Sequence, residues 1–130
     1  MISRPDYPTH FLEGLDRFNA RRFWDAHESW ETLWLQSTSE VKQFLQGLIQ
    51  VAAAYHHIQR GTLRGVPRLV DAGLRRLAMF PPGFNGVDRA AAEAAARRDR
   101  DITGPLADAD FPSLTLLVAR QDFLPPRQDW

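Results

Sequence analysis

From Val41 to Arg60 the chain reads VKQFLQGLIQVAAAYHHIQR, and its apolar residues recur at helical spacing without a break. Val41, Phe44, Leu45, Leu48, Ile49, Val51, Ala52 and Tyr55 cover a stripe too wide to be buried by one neighbour. A helix of this kind belongs in the middle of a bundle, with partners on both sides. Ser37 and Glu40 have the S-x-x-E spacing of a capping box before it, and Gly61 is placed to stop it.

The rest of the chain supplies the partners. Phe11, Leu12, Leu15 and Phe18 mark a first helix from about Thr9, its expected cap, to Asn19. FWDAHESWETLW opens a second, from Phe23 to about Gln36. After the short linker Gly61–Gly65, a fourth helix carries Pro67 in its first turn and points Leu69, Val70, Leu74, Leu77 and Phe80 inward. Pro81-Pro82-Gly83 ends it.

An Ala/Arg-rich helix is expected from Val87 to about Asp101, and the segment 104–130 is irregular. Ser113–Ala119 reads as a short extended piece or a helical turn, which periodicity does not separate. The expectation is an all-α, single-domain bundle of about five helices spanning residues 1–130, with an irregular C-terminal segment. A length of 130 residues suits one core.

Composition narrows the function classes. Sixteen basic and sixteen acidic side chains give zero formal net charge, so no nucleic-acid partner is expected. Arg97, Arg98 and Arg100 are interrupted by Asp99 and Asp101. With no cysteine, disulfides, thiolate chemistry and Cys-ligated zinc are excluded. MISRPDYPTHFLEGLD carries no signal-like apolar run, and no segment has the roughly 20 apolar residues of a membrane span. A cytoplasmic protein without a membrane partner is the expectation.

The chemistry concentrates on the second and third helices. At about 100° per residue, Phe23, Ala26, Trp30, Leu33 and Trp34 share a face, His27 falls within it and Glu31 at its edge. Asp25, Ser29 and Thr32 are expected to face solvent. An imidazole in an apolar stripe needs a partner, and Glu31 lies one turn away. On the third helix His56 falls with Leu45, Ile49 and Ala52, whereas His57 falls with Gln46 and Gln50 on the polar flank. Gly47 and Ala52–Ala54 permit close helix approach.

Imidazoles and carboxylates converging from facing helices are how bundles build metal sites. His27, Glu31 and His56 are therefore the candidate ligands of one divalent metal ion, with Glu28 as candidate general base and Gln46, Trp24 and Trp34 lining the pocket. Position 31 is Glu, so H-E-x-x-H is not completed, and Glu28-x-x-Glu31 lacks the Glu-x-x-His of di-iron bundles.

Together, F-N-x-x-x-F-W-x-A-H-E-x-W-E-x-L-W, F-L-Q-G-L-I-Q-x-A-A-A-Y-H-H and R-G-x-x-R-G resemble the bacterial and archaeal family named domain of unknown function 309, over about Phe11 to Asp88. The resemblance implies a compact helical fold. Some members carry the label of metal-dependent hydrolase, which would give this chain a small-molecule substrate. His27, Glu28, Glu31 and Trp34 match its second-helix motif, and Gln46 and His56 its third-helix positions. The competing expectation is a non-enzymatic interaction module, such as a homodimer, whose His/Glu cluster only fixes helix packing.

Overall fold

The computed structural model describes residues 6–127. Among them, five α-helices follow in order: α1 (Tyr7–Asn19), α2 (Phe23–Trp34), α3 (Ser39–Arg60), α4 (Val66–Leu77) and α5 (Ala90–Asp99). The α3 helix lies between α2 and α4, and α1 packs on α2. That is the arrangement its wide apolar stripe requires. Where α3 meets α4, the helices touch through glycines: a Cβ on Gly47 would stand 3.2 Å from the Gly73 carbonyl oxygen. No helix of the described residues is long and apolar enough to cross a membrane.

The core between α1, α2 and α3 is aromatic. Phe18 meets Phe23 edge-on at 4.9 Å, Trp30 lies 6.0 Å from Phe18, and Tyr55 lies 5.5 Å from Phe23. All of these rings are buried. Such geometry adds to the large area that each ring removes from water.

Several boundaries differ from the sequence expectation. Asp6, not Thr9, stands at the N-cap of α1, and Thr9 donates its hydroxyl to the Asp6 carboxylate. Ser37 does not form the capping box. Its buried hydroxyl donates to the Leu33 carbonyl at 2.7 Å and so closes α2, while α3 begins at Ser39. A local carbonyl one turn back competed successfully for that hydroxyl.

Val87 and Asp88 are not helical. They form β1, which pairs antiparallel with β2 (Thr115–Leu116), Val87 opposite Leu116. The irregular C-terminal segment is thus strapped to the bundle. Asn19 holds it from α1, its Nδ2 donating to the Leu114 carbonyl and its Oδ1 accepting from the Leu114 N–H, both at 2.8 Å. Phe123 stacks on Phe11 at 5.4 Å. Tyr55 donates to Asp99 at 2.7 Å, and Arg98 grips both oxygens of that buried carboxylate at 2.8 Å, tying α5 to α3.

Candidate functional site

The second helix turns one stripe outward: Trp24, His27, Glu28, Glu31, Thr32 and Leu35 line an open cleft of about 320 Å³. His27 is mostly buried, with 16% of its side chain exposed, and its Nε2 lies 3.1 Å from Glu31 Oε2 at the half-exposed rim. The i, i+4 spacing brings the pair together as expected. The buried Nδ1 has no hydrogen-bond partner among the described residues.

Trp24 organises the surroundings. Its ring stacks on His27 at 4.6 Å, 20° from parallel, and meets His56 at 5.0 Å. His56 therefore reaches α2 through the indole rather than through the His27–Glu31 pair. Together with Trp24, His57, Arg60 and Thr62 it lines a second open cleft of about 520 Å³. Partial burial and the nearby positive groups His57, Arg60 and His27, in that order, hold the His56 imidazole below its ordinary pKa.

The expected site residues thus divide. His27, Glu28, Glu31 and Trp24 share the first cleft; His56 belongs to the second, on which Trp24 also borders. Gln46 is half-buried and lines neither. Trp34 is half-buried beneath Lys42, whose Nζ lies 4.2 Å from the ring, and is likewise outside both clefts. Ser29, expected at the surface, is buried and accepts a hydrogen bond from Arg17 at 2.6 Å, because α1 covers more of α2 than its apolar stripe alone.

Sequence reasoning missed Leu35 and Arg60. Leu35 continues the 24, 28, 31 spacing by one more turn, and Arg60 lies one turn after His56, so helical spacing from Trp24 and His56 was the available signal.

The residues matched by the family model for Domain of unknown function (DUF309) are 11–69, from α1 into the first turn of α4. A crystal structure of a conserved hypothetical protein from Thermus thermophilus is 32% identical, with a TM-score of 0.60, and the match covers 77% of this chain and all of that one. The chain belongs to the DUF309 family. The matched span contains every residue of both clefts. For DUF309, then, α5 and the strapped C-terminal segment lie outside the family model. No curated protein matches the chain.

A metal centre built on His27, Glu31 and His56 requires the three on one ion. Among the described residues, no group of three or more His, Cys, Asp or Glu side chains is gathered to hold one. The donor set as it stands does not fit: Nε2 of His27 already faces Glu31, Nδ1 is buried, and His56 lies across Trp24.

Proposed function

We propose that this protein acts as a non-enzymatic helical interaction module whose recognition surface is the outward stripe of α2, with Trp24 as its anchor. The observation that carries this reading is the exposure of Trp24, 47% accessible although two imidazoles hold its ring in place. A large side chain left in water yet immobilised has little entropy left to lose when a partner covers it, and tryptophan dominates many interface hot spots. In this reading the His27–Glu31 pair sets the orientation of the imidazole on which the indole rests.

The stripe also indicates the partner's chemistry. Apolar Trp24 and Leu35 flank acidic Glu28 and Glu31, so the complement carries apolar groups around a basic centre. Two copies packed stripe to stripe, α2 antiparallel to α2, would set Glu28 and Glu31 against their own kind, a like-charge cost that disfavours the homodimer.

A photoreactive amino acid placed at exposed Thr32 tests the proposal in the native cell. A discrete cross-linked partner, lost when Trp24→Ala is added, supports it. Cross-linking that Trp24→Ala leaves unchanged overturns it. A divalent metal that raises the melting temperature of the wild type but not of His27→Ala would favour the metal-dependent hydrolase instead, because a native-state ligand must stabilise the fold.

A further inference from the structure

The cleft on the other side of Trp24 has the opposite character. An indole, two imidazoles, a guanidinium and a hydroxyl line it, and no carboxylate does. Among the described residues, none of the ion pairs includes His56, His57 or Arg60, in a chain whose acids and bases otherwise balance. Every charged neighbour acting on His56 is basic.

Helix capping does not use up these groups. The α3 helix ends on Gly61 at φ 74°, and backbone N–H groups meet its last carbonyls: Gly61 donates to Ile58 at 3.2 Å and Thr62 to His57 at 3.0 Å. What remains of the helix dipole is equivalent to about half a negative charge. The basic cluster exceeds that even with one imidazole neutral. His57 is pinned through Nδ1 to Thr62 Oγ1 at 2.9 Å, which leaves its Nε2 for a ligand.

We propose that this cleft binds a small planar organic anion, its ring against the Trp24 indole and its phosphate or carboxylate on His56, His57 and Arg60. The volume of about 520 Å³ accommodates such a molecule. Guanidinium and imidazolium donors make charge-assisted hydrogen bonds to either anion, and the exposed part of the indole supplies apolar contact for the ring. This cleft shares Trp24 with the α2 stripe, whose acids line the other cleft.

Phenyl phosphate, benzoate and inorganic phosphate are the probes, titrated at pH 6 while the histidine ring resonances are followed by NMR. Phenyl phosphate is expected to move the His56 and His57 signals and to raise the pKa of His56, since a bound anion favours imidazolium. Arg60→Gln, at an exposed position that leaves the core intact, should weaken it about tenfold, the loss of one charge-assisted contact. Trp24→Leu should remove the advantage of phenyl phosphate over inorganic phosphate. Comparison with benzoate distinguishes a phosphate from a carboxylate ligand. Unmoved His56 and His57 signals at about 10 mM phenyl phosphate, or equal binding to wild type and Arg60→Gln, would overturn the proposal. Equal preference for the ring in Trp24→Leu would overturn the assigned pose.

Discussion

A Cβ added to Gly14 would stand 2.3 Å from Nε1 of Trp30. The α1 backbone therefore rests directly on an indole of α2, and that indole donates to the Phe11 carbonyl at 3.2 Å. Alanine normally stabilises a helix relative to glycine by about 1 kcal/mol. At this position the sign reverses, because Trp30 is fully buried and has nowhere to retreat. Gly14→Ala is expected to cost about 2 kcal/mol or more in urea unfolding. Gly65→Ala, with open space around its Cβ, should stay within about 0.5 kcal/mol of wild type.

Arg89 precedes α5 but serves the end of α4. Its buried guanidinium donates to the Leu77, Phe80 and Pro81 carbonyls at 3.1, 3.2 and 3.4 Å and lies over Phe44. Without the fork the Phe80 carbonyl loses its donor, and Leu77 and Pro81 keep only the backbone N–H groups of Phe80 and Phe84, each at 3.1 Å. Arg89→Met should destabilise by about 2–4 kcal/mol. Arg89→Lys should restore only part, since one ammonium cannot reproduce the fork. Thermal denaturation measures the loss, and faster hydrogen exchange at residues 78–86 would locate it.

His56 predicts how stability depends on pH. Burial and its basic neighbours depress its pKa in the folded protein, so below the ordinary value of about 6.5 the unfolded chain binds more protons than the native one. Stability is then lost as pH falls from about 7 toward 5. Melting temperatures across that range should fall less in His56→Gln than in wild type. A parallel pair of curves would refute the assignment.

Two contacts of the C-terminal strap should differ in weight. Arg120 grips Asp16 with two bonds at 2.9 and 2.8 Å, but both side chains are more than half exposed. Phe123 is buried against Phe11 and Tyr7. Arg120→Ala should cost less than about 1 kcal/mol and fade further in salt, whereas Phe123→Ala should cost about 3 kcal/mol. Chemical denaturation of the two variants at low and high ionic strength checks both.

Much of the bundle was legible because helices announce themselves locally. Gly61 ends α3, Pro81-Pro82 follows the close of α4, and the apolar spacing from Val41 to Tyr55 identified the central helix with its two neighbours. Val87–Asp88 reads as helix in the sequence because two residues carry no periodicity of their own, and their partner, Thr115–Leu116, is remote in sequence. Ser37 illustrates another limit: a hydroxyl between two helices can serve either, and packing decided for Leu33.

The candidate site was legible in a similar, partial way. His27 and Glu31 meet because their contact is one helical turn, a distance set by the backbone alone. Whether His56 joins them depends on how α2 and α3 are rotated against each other. Trp24 fills the space where a shared centre was expected, and no periodicity argument measures the size of an indole in a crossing.

By itself, then, the order of amino acids determined the helices, the wide face of α3 and the His27–Glu31 pair, all of which follow from contacts within a few residues. Tertiary structure alone decided that the acidic and basic groups separate into two clefts about Trp24, that Ser29 is buried, and that the C-terminal segment closes over α1. Those outcomes depend on side chains from distant positions competing for the same volume, and close packing resolves such competition only once every helix is in place.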